Sequence, residues 1–445
     1  MRTRNLFLSF SIFGVSNRSP ESLLFFYPHL SLSPLRPSPA VQPSRLIFIQ
    51  IISMESQSPP IYRLPQDTLH MIFINLPLRQ IIVCRSVSKL FHTLLTSPSF
   101  LDLIHHHLSP LSLLALRPPH HHHHRHHRTH TQKPNSNPPP SPSLHAFDPL
   151  GNEWLRFDLT FLPFKSFSPV TSSLGHLYLW GESDSPESCS KSLVVCNPLT
   201  RSFRVLPQLG SAWSKHGSVL SGSGDRVLVL TELATLYFNG GCGSGSKSWL
   251  KFSSNLPSKP RSPILVGDSL YALCDVGSPW RSLWKLFTCK LPGFQTNSSS
   301  LGWSRLERSE WGDVFDILKR PRLVKGVGNK ILMVGGLKSS FSLNAVCSTI
   351  LLLRLDLDTF EWDEAGRMPL DMYKCFQESS KFKVFGSGDK VCFSAKRVGK
   401  LALWDSSPQA VAMAEGEWRW IEGAPGFGDG LFRGFIFDAR LNAMP

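Results

Sequence analysis

The chain has 445 residues, of which 47 are Lys or Arg and 32 are Asp or Glu, giving a formal net charge of +15 at pH 7. This length suffices for two or three domains, and an aromatic content of 11% excludes a chain that is disordered throughout. Nine cysteines without a Cys-x-x-Cys pair argue against a zinc finger and against a secreted disulfide framework, so we expect a reducing compartment.

The positive charge is spread thinly along the chain. No predicted helix carries a basic run with interleaved aromatic residues, so we expect no direct binding of nucleic acid and no membrane attachment. The tightest basic group consists of Lys319, Arg320, Arg322, Lys325 and Lys330. It is interpreted either as a solvated loop or as part of a surface that receives an acidic partner.

Residues 1–57 are predicted to be a disordered leader or upstream extension. Up to residue 53 they are rich in Ser, Pro, Phe and Leu, with Glu21 as the only acid. Residues 6–15 could form the apolar core of a secretory signal, and the acid-poor composition also fits an organelle transit peptide. The third interpretation is an extension without structural purpose, because Met54 opens a segment that runs directly into the next domain.

Residues 58–107 carry the pattern of a small helical domain. Two Leu-Pro pairs, at 64–65 and 76–77, precede apolar residues at helical spacing, and Pro is tolerated in the first turn of a helix. The following apolar stripe has Ser88 or Ser86 as its candidate N-cap and Pro98 as its stop. It consists of Val87, Leu90, Phe91, Leu94 and Leu95. Three short helices cannot bury all such faces on one another, so apolar surface is left for a partner.

This segment resembles an F-box. The family pattern falls on Leu64, Pro65, Leu69, Ile72, Leu76, Pro77, Ile81, Arg85, Val87, Lys89, Phe91, Leu94 and Phe100. Ser88 and Phe91 depart from it, since the family usually has Cys and Trp there, and Phe91 is expected to weaken adaptor packing without abolishing it. An ordinary amphipathic helical hairpin is the alternative interpretation.

The resemblance implies a surface that docks a Skp-type adaptor and, through it, a cullin. Its adaptor-binding residues would be Leu64, Pro65, Leu69, Ile72, Leu76, Pro77, Ile81, Val87, Leu90 and Phe91. Apolar side chains of this kind would supply the hot spots of the adaptor interface.

Residues 108–143 are predicted to be a linker. They contain Pro118-Pro119, a His tract at 120–124 and three prolines at 138–140, and few apolar residues follow Leu116. A segment of this composition cannot form a core of its own. The His tract is interpreted as a low-complexity spacer or as an adventitious Zn or Ni site.

Residues 144–445 show a repeated pattern of short β-strands. Apolar runs recur at 175–180, 226–230, 269–273, 330–334 and 390–393, with Gly or Asp turn residues close before them. In each unit an aromatic residue follows a polar turn, at a period of about fifty residues. These aromatic residues are Trp154, Phe203, Trp249, Trp303, Trp362 and Trp418.

Such a period, with two strands, a turn and an aromatic in each unit, predicts a β-propeller. Six aromatics suggest about six blades, with five to seven left open, and a β-sandwich is the alternative. The best unit resembles a kelch repeat, with Gly335-Gly336 after a strand and Trp362 later. The predicted fold class is therefore multidomain α plus all-β: a small three-helix F-box followed by a kelch-like β-propeller.

Residues that could carry catalysis are scarce in this second region. After His145 it contains only His176 and His216, too few for a copper oxidase. The Gly-rich run at 240–245 lacks the Lys and the helix of a phosphate-binding loop. We therefore expect no cofactor, no metal site and no enzyme activity in this chain.

From residue 61 to 445, the order of helical motif, linker and degenerate propeller resembles the plant-type F-box/kelch-repeat proteins. The resemblance implies a non-catalytic substrate-recognition subunit of a Skp–cullin–F-box ubiquitin ligase. Its propeller would capture an unidentified protein substrate, in the cytoplasm and/or the nucleus. The alternatives are a kelch-type scaffold or transcriptional cofactor without a ubiquitination role and, with less support from the His content, a propeller enzyme.

Overall fold

The computed structural model of the chain describes residues 60–118, 142–164, 166–182, 191–222, 226–240, 248–291, 302–340, 346–377, 379, 382–407, 416–425 and 430–445. The predicted leader at 1–57 and the His tract lie outside these residues. None of the helices in this part of the chain has the length and apolar character that a membrane crossing requires.

The N-terminal region contains four helices, one more than the three predicted. After a 3₁₀ turn at Pro60–Arg63 they are α1 (Gln66–Ile74), α2 (Leu78–Cys84), α3 (Lys89–Leu95) and α4 (Pro98–His107). Each Leu-Pro pair stands immediately before a helix, and the carbonyl of Pro65 accepts a hydrogen bond from the Leu69 amide at 3.1 Å. Pro fits there because the N–H that it lacks would have no partner in the first turn of a helix.

The apolar stripe predicted for the third helix is divided by its cap. Ser88 caps α3, its Oγ accepting a hydrogen bond from the amide of Phe91 at 3.2 Å, so Val87 stays outside the helix. Pro98 does more than stop this helix, because it opens α4 immediately after the N-cap Ser97.

The rest of the described chain forms six four-stranded antiparallel sheets, the blades of a β-propeller. Blade one consists of β1 (Leu111–Arg117), β2 (Ser143–Asp148), β3 (Glu153–Asp158) and β24 (Arg433–Ala439). Blades two to six each use four consecutive strands. Blade two has β4 (Ser166–Ser173), β5 (His176–Glu182), β6 (Lys191–Asn197) and β7 (Ser202–Val205), and blade three has β8 (Ser218–Ser221), β9 (Arg226–Leu230), β10 (Ala234–Asn239) and β11 (Leu250–Ser253); blade four has β12 (Arg261–Val266), β13 (Ser269–Asp275), β14 (Trp284–Lys290) and β15 (Ser304–Leu306). Blade five has β16 (Leu318–Lys325), β17 (Lys330–Lys338), β18 (Cys347–Asp356) and β19 (Trp362–Arg367), and blade six has β20 (Phe382–Ser387), β21 (Lys390–Ala395), β22 (Leu401–Asp405) and β23 (Glu417–Ile421). Between blades lie α5 (Ser211–His216), a 3₁₀ turn at Ser309–Trp311 and α6 (Leu370–Gln377).

The two ends of the propeller region close its ring. β24 pairs with β1 over its whole length, from Leu111 opposite Ala439 to Arg117 opposite Arg433. The inner strands β24, β4, β8, β12, β16 and β20 lie side by side around the central axis, each in contact with the next. Blade one is therefore complete only when the last strand of the propeller pairs with the first.

The segment predicted as a linker, residues 108–143, does not separate two bodies. Its residues 111–117 form β1, only three residues after α4 ends. The His tract belongs to the connection between β1 and β2, which pair directly, with Leu116 opposite His145. The propeller thus begins at residue 111 rather than at 144. The sequence pattern did not show this, because β24, the strand that pairs with β1, lies at the other end of the chain.

The six repeated aromatic residues mark the outermost strand of each blade. Trp154, Phe203, Trp362 and Trp418 lie within β3, β7, β19 and β23, and Trp249 and Trp303 stand one residue before β11 and β15. The described chain thus has the six blades that these aromatics suggested. A propeller, and not a β-sandwich, is the architecture.

Apolar clusters lie between neighbouring blades. Leu273 of blade four shares one cluster with Leu353 of blade five, and Leu403 of blade six shares another with Leu114 of blade one. Each blade buries its faces on its neighbours, so the blades are expected to be stable together and not singly.

The helical region is packed onto blades one and two. Phe100 of α4, which is fully buried, shares one apolar cluster with Leu113 of β1 and Phe437 of β24. At the edge of this contact Arg79 of α2 forms an ion pair with Glu153 of β3. The helices and the propeller therefore have one continuous core.

Candidate adaptor-binding surface

Helix α1 has apolar residues on more than one side. Leu69 and Phe73, one turn apart, are buried, and the ring of Phe73 stands edge-on to Phe91 with 4.9 Å between ring centroids. Met71 and Ile72 are exposed on the same helix. One apolar stripe is enough to pack a helix onto a core, so the second is available to a partner.

The start of α3 shows the same division. Val87 and Leu90 are 63% and 42% exposed, whereas Phe91 is only 8% exposed and packs with the buried Leu94. Successive residues on a helix point about 100° apart. Neighbours in one apolar run therefore face different environments.

Three of the ten residues predicted to bind the adaptor are buried within the protein itself. Leu69, Ile81 and Phe91 belong to the cluster that joins the helices to blades one and two. Their side chains cannot touch an adaptor in this conformation, so we correct their assignment from contact residues to residues that position the helices. Phe91, in place of the Trp usual in the family, consequently fills the protein's own core.

The other seven predicted residues are accessible to different degrees. Leu76 is partly buried against the helical core. The six exposed ones are Leu64, Pro65, Ile72, Pro77, Val87 and Leu90. These seven residues remain predicted adaptor contacts.

Three further exposed apolar residues, Ile61, Met71 and Val83, were missed by the sequence pattern. A helical projection could have found Met71, because it lies off the stripe formed by Leu69 and Phe73. With these three, seven of the eighteen large hydrophobic residues that are exposed in the described chain lie between residues 61 and 90. Such a concentration is typical of a protein-interaction surface.

Arg85 fixes this region to the propeller. Its Nη1 donates a hydrogen bond to the carbonyl of Leu199 at 3.4 Å, and burial lowers the pKa of its guanidinium. Lys89, at the start of α3, is exposed. Of these two basic residues of the family pattern, Arg85 supports the fold, whereas Lys89 is free to face an acidic partner surface.

The described residues include no group of three or more His, Cys, Asp or Glu side chains that could hold a metal ion. Burial raises the pKa of the Cys196 thiol to about 12 and the pKa values of Cys274 and Cys289 to about 11. These thiols are protonated at neutral pH and are poor nucleophiles, so they serve as small packing groups.

The profile of the F-box domain matches residues 61–103, the helical region described above. Over 390 residues the chain is 60% identical to SKP1-interacting partner 15 of Arabidopsis thaliana, an alignment that covers 87% of this chain and 100% of that protein. The chain belongs to the F-box family. Residues 61–103 are its F-box.

Two further Arabidopsis thaliana relatives match this F-box protein at lower identity. Protein UNUSUAL FLORAL ORGANS is 24% identical over 415 residues, covering 85% of each chain. An F-box/kelch-repeat protein is 28% identical over 316 residues, covering 69% of this chain and 68% of that one. Both alignments are far longer than the F-box, so both extend into the propeller.

Proposed function

We propose that this F-box protein is the substrate-recognition subunit of a Skp–cullin–F-box ubiquitin ligase. The observation that carries the proposal is an F-box on which exposed apolar residues are concentrated. The 60% identity to a protein named as a SKP1-interacting partner supports a Skp-type adaptor as the occupant of this surface. The cullin would be reached through that adaptor.

The adaptor contacts are assigned to side chains that are accessible on the F-box. They are Leu64, Pro65, Ile72, Leu76, Pro77, Val87 and Leu90, joined by Ile61, Met71 and Val83. Fully burying one such side chain contributes about 1.5–3 kcal/mol, and a few apolar anchors carry most of the energy of a typical interface.

The propeller would bind the protein substrate without catalysing its modification. The shared core of Phe100 and Leu113 gives the F-box a fixed position on the propeller, so a captured substrate is held at a defined place relative to the adaptor. Such positioning raises the effective concentration of a substrate lysine near ubiquitin carried by other subunits.

Blade five supports a degenerate kelch-type propeller. Gly335 and Gly336 lie near the end of β17, and Trp362 opens β19, the order that the sequence resemblance requires.

The cytoplasm and/or the nucleus is the proposed location, and the seven cysteines of the described chain, all of them free, fit a reducing compartment.

Affinity purification tests the proposed function. The tagged full chain, purified from cells with the proteasome blocked, should carry a Skp-type adaptor and a cullin. The double variant Leu64→Ala/Pro65→Ala should lose both, while Leu233→Ala, an exposed leucine on blade three, should keep both. A wild-type chain that retains neither protein would instead favour a kelch-type scaffold or a transcriptional cofactor without a ubiquitination role.

A further inference from the structure

A cavity of about 600 Å³ opens where the inner strands of blades four, five and six begin. Arg261 is the first residue of β12, Lys319 the second of β16 and Phe382 the first of β20. Tyr373 of α6 forms part of the wall, and its hydroxyl donates a hydrogen bond to the carbonyl of Cys347 at 2.8 Å. The lining thus comes from three blades and one connecting helix.

The charge of this cavity is entirely positive among the residues described. Of its fourteen described lining residues five are basic and none is acidic. The basic residues are Arg261, Lys319, Arg320, Arg322 and Lys383. Concave sites lined by one sign of charge focus the electrostatic field on a ligand of the opposite sign.

Strand β16 of blade five has a β-bulge beside the cavity. Lys319 pairs with Gly336 and Arg322 with Val334, so Arg320 and Pro321 together stand opposite one residue of β17. Arg320 takes a φ of +54°, a left-handed conformation that is costly for a side chain with a Cβ. Bulges of this kind re-aim side chains and accumulate at functional sites.

Strand β12 of blade four has a bulge of the same kind. Arg261 pairs with Leu273 and Ile264 with Tyr271, which leaves two residues of β12 opposite one of β13. One of the two, Ser262, has a φ of +46°. The basic residue that precedes each bulge, Arg261 or Lys319, lines the cavity.

The glycine pair of blade five makes room for this arrangement. A Cβ on Gly336 would lie 2.6 Å from Sγ of Cys347, and a Cβ on Gly335 would lie 3.0 Å from Cβ of Leu318. The contact at Gly336 is closer than Cβ atoms approach in proteins and the one at Gly335 is tight, so a side chain at either position would displace Cys347 or Leu318 beside the cavity.

The charge of Arg261 is only partly compensated. Arg261 is stacked over the ring of Trp284 at 4.9 Å and donates to the carbonyl of Arg320 at 3.5 Å, but its Nε has no hydrogen-bond partner. Burial, together with repulsion from Arg322 and Arg320, lowers the pKa of Arg261 to about 10, against a weaker opposing effect of Asp275.

The charge of Arg322 is also only partly compensated. Its buried Nε has no partner, and burial, with repulsion from Arg320 and Arg433, lowers the pKa of its guanidinium. Arg433 opens β24 of blade one, so the positive region extends across the axis. Buried guanidinium groups that repel one another are stabilised when an anion is placed between them.

We propose that this cavity binds an anionic segment of the substrate polypeptide, carrying clustered phosphates or carboxylates. The proposal rests on the substrate-receptor function and names the substrate chemistry that the propeller selects. Guanidinium groups suit it because they bind phosphate and carboxylate oxygens in a bidentate manner. Tyr373 and Phe376 give the same cavity an apolar wall for the peptide's other side chains.

The F-box leaves this cavity accessible. The inner strands run in the same direction along the axis, and those of blades four to six begin at the cavity. The inner strand β24 ends beside the F-box, where Asn442 Nδ2 lies 2.9 Å from His105 Nδ1 of α4. The two sites are therefore on opposite faces of the propeller. An adaptor on the F-box and an anionic peptide in the cavity can be bound at the same time.

Fluorescence anisotropy with synthetic peptides tests the proposal. One labelled peptide is prepared with clustered phosphoserines, with glutamates at the same positions and with unmodified serines, and each is titrated with the full chain in complex with its adaptor. We expect the phosphorylated or the glutamate form to bind at least about tenfold more tightly than the unmodified form. Which of the two binds tighter identifies the source of the negative charge.

Two variants of one strand make the assignment specific. Lys319→Glu, at an exposed position of the cavity, should weaken binding of the anionic peptide about tenfold or more. Lys325→Glu changes the charge equally at the exposed far end of β16 and should leave binding within about twofold. Neither variant should alter adaptor affinity, because the F-box lies on the opposite face of the propeller.

Three results would overturn the proposal: equal binding of all three peptides, equal loss in both variants, or a single-stranded oligonucleotide that outcompetes both anionic peptides. Adaptor affinity is measured on the same samples. A chain that binds adaptor but no anionic peptide loses this inference while the proposed function stands, whereas a chain that binds no adaptor loses the function itself.

Discussion

Leu90 and Phe91 are adjacent in the chain and have different tasks. Phe91 fills the joint core of the F-box and blades one and two, and Leu90 stays exposed at the start of α3. The difference follows from helix geometry, because successive side chains point about 100° apart and Phe91, not Leu90, faces inward. Stability and adaptor binding can therefore be separated at neighbouring positions.

Phe91→Ala should lower the free energy of unfolding by about 3–5 kcal/mol, since it leaves a cavity in the core. Leu90→Ala should change that free energy by no more than about 0.5 kcal/mol, because the side chain is exposed. Chemical denaturation of both variants measures the difference. Equal destabilisation would mean that α3 is rotated differently from the helix described.

Trp362 lies at the seam between blades four and five. Its ring meets Trp311 and Phe315 edge-on, at 5.8 and 6.0 Å between centroids, and packs on the cluster shared by the two blades. The side chain is only partly buried, as an outer-strand position allows. The aromatic of the best-formed repeat thus packs between blades, as its place in the repeat predicted.

Trp362→Ala should cost about 3 kcal/mol of unfolding free energy and lower the melting temperature. Trp280→Ala is the matched control, because Trp280 is 88% exposed in the same propeller. Differential scanning fluorimetry compares them. If the two variants melt together with the wild-type protein, the packing assigned to Trp362 is wrong.

β1 carries the largest correction at the scale of elements. Its residues 113–116 are buried almost completely, and it pairs with both β2 and β24. A chain that lacks residues 1–143 keeps everything predicted to be propeller but loses this strand, together with the F-box helices that pack on blades one and two. We expect it to be insoluble or to lack the near-ultraviolet circular dichroism of packed aromatics.

The control for that truncation keeps β1 and shortens the connection between β1 and β2. Replacing residues 119–141 by a short Gly-containing turn should preserve folding, because β1 and β2 are antiparallel neighbours that a hairpin turn can join. A soluble, well-packed protein lacking residues 1–143 would show that blade one does not need β1.

Local pattern predicted most of these elements, and the exceptions have physical causes. Strands such as β5, β9 and β17 follow from apolar runs after turn residues, and the six aromatics gave the blade number. The role of β1 was missed because its inner partner β24 lies near the other end of the chain. Contacts of such separation leave no trace in local composition.

The sites were predictable to a smaller extent. The F-box pattern located the candidate surface, but the same apolar residue types serve core and surface: Ile81 of α2 is buried and Leu90 of α3 is exposed. The basic cluster around Lys319 was visible in the sequence. Its partners Arg261 and Lys383 come from neighbouring blades, and only the closed ring brings them together.

At the scale of the whole molecule, the F-box and the propeller form one structural unit. Their shared cluster and the hydrogen bond from Arg85 to Leu199 leave no independent helical domain. Scanning calorimetry of the full chain should therefore give a single cooperative transition for both. An early separate transition that disappears when the F-box is deleted would contradict this.

The central claim is that the exposed apolar residues of this F-box bind a Skp-type adaptor, and isothermal titration of purified adaptor into the full chain tests it most directly. We predict one-to-one binding with a Kd below about 1 µM. Val87→Asp/Leu90→Asp should abolish the binding heat at an unchanged melting temperature, while Val327→Asp, equally exposed on blade five, should bind normally. No binding by the wild-type chain, or full binding by the double variant, would contradict the account.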